Sequence, residues 1–156
     1  GEDTLSLHDA LPILASWRDQ HALLINTTQS LPNWAFWIDK RRVPQRGDFV
    51  VFAPAQTPLI TAHFGKVSPP FAKRVYGMPG DVVSRDGNVV RINGAEVARL
   101  KPASSRGESL APGPVGRIPE RCYYLGTAHK DGFDSRYADI GFVCANRIIG
   151  TGDSVL

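Results

Sequence analysis

The sequence contains no uninterrupted apolar run of the roughly 18 residues that a membrane-crossing helix requires, so none is expected within it. Cysteine is scarce: Cys122 and Cys144 are the only two. They lack C-x-x-C spacing, which excludes the usual zinc and thioredoxin-like arrangements and leaves either one disulfide or two free buried thiols. Neither an internal repeat nor a heptad pattern is present, which excludes solenoids and coiled coils. Acidic residues are outnumbered, 15 against 18 Lys and Arg, for a formal charge of +3 and a pI near 9.1. That sign alone does not separate nucleic acid from an anionic membrane surface as a partner. No DNA-binding segment accompanies it, and nucleic acid is not an expected partner.

What the chain does hold is 42% hydrophobic and 21% charged residues over 156 positions, enough for one domain with a real core and too little for two. Its 15 Gly and 12 Pro imply many turns and few long helices, which favours a mainly β fold. Thr4 to Ile13 (TLSLHDALPI) resembles, codon for codon, one frame of a common sequencing-library adapter. Residues 1–13 therefore read as an assembly artefact, and 14–156 as the domain. The artefact carries Glu2, Asp3 and Asp9 and no Lys or Arg, so without it the formal charge rises from +3 to +6. A native segment, including a membrane anchor, is expected upstream of Leu14.

Leu23 to Ile38 reads as strand, tight turn and strand, and the basic segment after it leads into a buried strand at Phe49 to Ala53. A loop around a strand near Leu59 to Phe64 is expected next. FAKRVYGMPGDVV reads as strand, Gly/Pro turn and strand. It runs into a meander whose Asp86-Gly87 and Asn93-Gly94 pairs predict type I′ turns. Lys101 to Val115 is rich in Pro, Ser and Gly and reads as an exposed loop; the last block reads as strand, long polar turn and two short strands.

A serine becomes nucleophilic only beside a base, usually His. Of the four histidines, His8 lies in the artefact, and His21, His63 and His129 have no nucleophile-elbow motif beside them. Lysine can serve instead if burial brings its pKa down from about 10.4 towards neutrality. Alternation in a strand puts Phe71, Lys73 and Val75 on one face and Ala72, Arg74 and Tyr76 on the other, so Lys73 sits between apolar side chains. A buried lysine is costly, which makes it a functional candidate.

Ser30-Leu31-Pro32, RGDFVVF (Arg46 to Phe52), KRVYGMPGD (Lys73 to Asp81) and GTAHKDGFDSR (Gly126 to Arg136) together resemble, in order, the four sequence boxes of type I signal peptidases. The short form, with NTT-x-S-L-P and a final F-D-S-R-Y, is most similar to the conjugative-transfer, TraF-type branch. The resemblance implies signal peptidase/LexA-like coiled antiparallel β-sheets in a single domain, with the site in a groove at one edge. It implies Ser30 as nucleophile and Lys73 as the base that takes its proton and returns it to the leaving amine. Thr28 would support the oxyanion beside the Ser30 backbone N–H. Asp134 and Arg136 would brace the site, and Asp134, with Asp131 second, would be the aspartate that the branch requires.

The partners implied are an extended segment of an exported precursor, such as a conjugative pilin, with small residues at the first and third positions before the cut, and the membrane surface. No cofactor or metal is implied. The location implied is the inner membrane, with the catalytic domain on its periplasmic face. There are departures: Thr127, Ala128, His129 and Asp131 replace Asp, Asn, Arg and Asn of the last box, and the serine that orients the lysine falls on Gly132. Something else must position Lys73.

Blander readings stand beside these. Asp134 with Arg136 could purely stabilise a turn; Trp34, Phe36 and Trp37 suit core packing as well as a membrane surface; and Lys40 to Arg46 could be a solvated turn. In an exported domain Cys122 and Cys144 suit a disulfide, and free thiols suit them equally. Two rival functions remain, a LexA-like self-cleaving protein and an inactive β-rich module that binds peptides.

Overall fold

The computed structural model describes residues 21–25 and 35–154. Strands β1 (His21–Ile25) and β2 (Ala35–Asp39) form an antiparallel pair, in line with the two strands expected there, and the tight turn expected between them lies outside the described residues. Next come β3 (Phe49–Phe52), β4 (Phe71–Gly77), β5 (Val82–Asp86), β6 (Val89–Ile92) and β7 (Ala95–Arg99). The chain continues through β8 (Gly116–Arg117), β9 (Cys122–Gly126), β10 (Val143–Cys144) and β11 (Ile148–Ser154). They build a seven-stranded sheet in the order β1-β2-β11-β3-β4-β9-β10 and a four-stranded sheet in the order β7-β6-β5-β8. All pairings among the described residues are antiparallel, so the mainly β expectation holds.

β3 and β9 are buried along their whole length, which is why their sequences read as continuous apolar runs rather than alternating ones. Successive residues serve different cores. Leu125 packs with Val50, Phe52 and Val75, whereas Tyr124 packs with Val83, Ile92 and Ile118 and ties β9 to the smaller sheet. Gly77 sits at that junction, where a Cβ would lie 2.6 Å from Ile118 Cδ1 and 2.9 Å from Tyr124 Cβ. Cys122 and Cys144 face each other across β9 and β10 and form a disulfide, which resolves the choice the sequence left open.

Two local expectations need correction. Leu59 to Phe64 is not a strand: helix α1 (Pro58–Phe64) occupies it. Thr57 caps the helix by accepting a hydrogen bond from Ile60 N, Pro58 takes the first turn where no N–H is needed, and Gly65 ends it. Short-range capping thus outweighs the β-branched content of this run. The Asn93-Gly94 turn has positive φ at both central residues, as type I′ demands, but at the other turn only Gly87 does (φ 60°). One positive φ at the first central position fits type II′ instead.

Candidate active site

Lys73 lies mid-way along β4, and the expected alternation is observed. Phe71 and Val75 pack with Val50 and Phe52 on one face, while Ala72 packs with Phe49 and Val51 on the other. There the Arg74 guanidinium sits 4.3 Å from the Phe49 ring centroid. Lys73 shares the first face and is only 5% exposed. Burial lowers its pKa from 10.5 to about 8; the Asp134 carboxylate pulls it up, and the Arg136 guanidinium pushes it down. Lys73 enters none of the ion pairs among the described residues. Its amine is therefore poised to lose its proton a little above neutral pH, which is the chemistry a base requires.

Strand register supplies the opening beside it. β4 pairs with β3 from Phe71 to Arg74, but with β9 only from Arg74 to Gly77, because β9 ends at Gly126. On the β9 side, residues 71–73 therefore have no ladder partner among the described residues. Lys73 stands at the end of that open edge.

The second and third sequence boxes are bolted together around it. Arg46 donates to Tyr76 O at 2.6 Å and pairs with Asp81 at 2.7 Å, while Gly47 N donates to Val75 O at 2.9 Å. Asp81 also accepts from Met78 N at 2.8 Å, which holds the Met78-Pro79-Gly80 turn and, with Arg46, keeps its carboxyl below the usual range.

The last box folds back on itself. Asp134 is fully buried and accepts from Arg136 Nε at 2.8 Å, Arg136 Nη2 at 2.9 Å, Arg136 N at 3.0 Å and Thr127 N at 3.1 Å. Arg136 further donates to the carbonyls of Arg99 (3.1 Å) and Thr127 (3.2 Å). Ser135 exchanges two hydrogen bonds with Leu125, its Oγ accepting from Leu125 N at 2.9 Å and its N donating to Leu125 O at 3.0 Å. Asp131, by contrast, is exposed and paired with Lys101. Thr28 and Ser30 lie outside the described residues.

The profile of the family described as "Signal peptidase, peptidase S26" matches residues 13–156. The chain belongs to this signal peptidase family. It is 30% identical over 120 residues to the signal peptidase I of Bacillus amyloliquefaciens and 31% identical over 120 residues to signal peptidase I T of Bacillus subtilis (strain 168). Each match covers 71% of this chain and 56% of the relative, so the chain spans little more than half the length of these proteins. A crystal structure of a signal peptidase I from Enterococcus faecalis V583 is similar at 24% identity and a TM-score of 0.43, over 72% of this chain and 98% of that one.

Within this family frame, two features lay beyond sequence reasoning. Gly132 has no room for a side chain: a Cβ there would stand 2.2 Å from Thr127 Cγ2. Nothing in a single sequence signals that contact. The second is a cleft of about 570 Å³ between α1, the 101–110 loop and the last box, lined by Leu59, His63, Phe64, Leu110, Phe133 and Tyr137 among others. Inside it His63 Nε2 lies 2.6 Å from Glu108 Oε1, and Ser104 Oγ donates to the same oxygen at 2.7 Å. Ser104 and His63 both contact the Glu108 carboxylate and not each other, so no histidine stands between the serine and the acid, and the trio is no catalytic triad. It fastens the 101–115 loop to α1.

Proposed function

We propose that this chain is a serine endopeptidase of the signal peptidase I kind, in which Lys73 takes the proton of Ser30 as Ser30 attacks a peptide carbonyl. The observation that carries this reading is the burial of Lys73 beside the open edge of β4. A lysine held between apolar side chains without an ion-pair partner is costly to fold and is chemically suited to proton transfer at mild pH. The proton passes from the Ser30 hydroxyl to the amine, and then to the leaving amine when the acyl intermediate forms. Thr28 and the Ser30 N–H hold the developing oxyanion. Water then deacylates the serine, with Lys73 again taking the proton.

The partner is an extended segment of an exported precursor that adds as a strand to residues 71–73 of β4, where alternate side chains are read by pockets on either face. Signal or leader peptides are the substrate class. The disulfide supports a location outside the reducing cytosol. With the aromatic and basic residues that follow Ser30, it supports action at the outer face of the inner membrane. The NTT-x-S-L-P and F-D-S-R-Y segments favour the conjugative-transfer branch and a pilin precursor as substrate.

The test is cleavage of a synthetic peptide spanning a signal-peptide junction by the purified chain, with Ser30→Ala and Lys73→Ala as controls. Wild-type cleavage lost in both variants is the expected result. Three proteins with equal activity, or none, overturn the reading and leave a peptide-binding module.

A further inference from the structure

The cleft beside α1 takes no part in the proton transfer, yet it adjoins the edge where that transfer takes place. Phe64 joins the two: it lines the cleft, and its ring stands edge-on to Phe71, the first residue of the open β4 edge, with centroids 4.9 Å apart. Phe133, on the last-box wall of the cleft, packs against the same core cluster as Phe71. Beside residues 71–73 the chain leaves β9 at Gly126 and runs into the last box, whose residues 131–133 form that wall. A strand laid along 71–73 therefore lies between β4 and the last box, with the cleft at its Phe71 end.

The cleft is apolar and its walls are fixed. Leu59 and Leu110 line it half-buried, and neither enters any of the three core clusters among the described residues, so their apolar surface is not spent on the fold. Polar ties hold the walls in place. Ser104 and His63 both bond Glu108, Lys101 pairs with Asp131, and the Tyr137 hydroxyl accepts from Lys101 N at 3.1 Å. Thr57 Oγ1 donates to Asp139 Oδ1 at 2.5 Å and ties the start of α1 to the segment after the last box. The result is a pre-formed pocket of about 570 Å³, within the roughly 300–1,000 Å³ of ligand sites.

Spacing along the strand says which substrate residue reaches it. Strand residues advance about 3.3 Å each, so Phe71 lies about 6.6 Å from Lys73, and the cleft past Phe64 lies about as far again. That corresponds to a residue about four to six positions from the bond cut at Lys73. The chemistry of exported leaders supplies the side, because their apolar segment precedes a cleavage site of small residues. We propose that the α1 cleft is a specificity pocket that takes one large apolar side chain, about four to six residues before the cut, from the substrate strand seated on β4. The proposal rests on the reading of that edge as the substrate site.

The test uses the full chain and synthetic signal-junction peptides that carry Leu or Ser, one position at a time, at the fourth to sixth residues before the cut and at the same distances after it. Two ratios of Leu to Ser peptide are read: kcat/KM, and affinity for the Ser30→Ala chain by fluorescence anisotropy of the labelled peptides. At one position before the cut, Leu is expected to win by about tenfold or more in both, the factor that burying one large apolar side chain commands. In Leu110→Trp, which fills the cleft, both ratios fall to about one; Leu59→Gln, which makes the α1 wall polar, replaces it if that variant does not fold. No preference at any position before the cut, a preference only after it, or ratios that survive both variants overturns the proposal. Ratios that survive while Leu110→Trp alters the sedimentation of the chain assign the cleft to self-association and overturn it as well. If the wild type cleaves nothing, the peptidase reading falls, and the affinity ratio alone decides whether the cleft holds the apolar side chain.

Discussion

Asp134 and Arg136 form a buried bidentate pair two residues apart, with Arg136 Nε and Nη2 at 2.8 and 2.9 Å from the two carboxylate oxygens. The carboxylate takes two backbone N–H bonds as well, from Arg136 and Thr127, so it closes the turn of the last box like a clasp. Its effect on Lys73 is through charge: it draws the lysine pKa upward against burial.

Removing one partner of such a pair leaves the other charge buried and unmatched. Asp134→Ala is therefore expected to cost about 3–5 kcal/mol of stability in urea unfolding, since Arg136 is only 3% exposed. A loss below about 1 kcal/mol, the range of an exposed pair, would show that the turn does not depend on it. In whatever folded fraction survives, the acid limb of the activity profile shifts to lower pH, because Lys73 loses the charge that raised its pKa.

Lys73 itself ties function to stability. Unfolded, the amine keeps its ordinary value of 10.5, and folded it titrates at about 8. Below about pH 8 both states are protonated and the native state carries the whole cost of the buried ammonium, about 3 kcal/mol at about 1.36 kcal/mol per unit. Between about 8 and 10.5 the unfolded chain binds the extra proton, so stability rises with pH across that window. Lys73→Met is expected to be inactive yet more stable than wild type at pH 7, with the advantage fading towards pH 10. Wild-type kcat/KM should climb with pH to a midpoint near 8. A lysine variant no more stable than wild type at pH 7 argues that the amine is solvated.

Much of this arrangement was legible in the sequence because it depends on period and local chemistry. The two faces of β4, the continuous apolar run of β3 and the Asn93-Gly94 turn each follow from residues adjacent along the chain. α1 was missed because Ile60, Thr61 and the aromatic Phe64 favour a strand, and the Thr57 cap that reverses the preference is a single hydrogen bond. The Cys122–Cys144 bond and the Gly132–Thr127 contact were not legible because they depend on which strands are neighbours and in what register. Asp134 was legible by box position, but its complete engagement by Arg136 appears only once the turn is folded.

The disulfide closes a loop with a sequence separation of 22 residues that contains the whole last box. Chain-entropy arguments put its contribution at about 3 kcal/mol. Reduction, or Cys122→Ser with Cys144→Ser, should lower the urea midpoint accordingly. The 126–136 turn is also held by Ser135 and Arg136, so Lys73 should keep its titration midpoint in whatever fraction remains folded. A reduced protein with unaltered stability would mean that β9 and β10 hold together without the bond.

Gly132 and Thr127 make one further demand on stability. Adding a side chain at 132 drives its Cβ into Thr127 Cγ2 at 2.2 Å, with His129 O at 3.0 Å and Arg136 Nη2 at 3.1 Å close behind. Gly132→Ser alone should cost about 1–3 kcal/mol, the usual price of overpacking. Thr127→Ala removes the methyl that blocks the space, so in that background the same change should cost much less. The double-mutant cycle should therefore show a coupling energy of about 1 kcal/mol or more, favouring the pair over the sum of the singles. Simple additivity would mean that the backbone of the last box yields to admit both side chains, and that the two positions do not exclude one another.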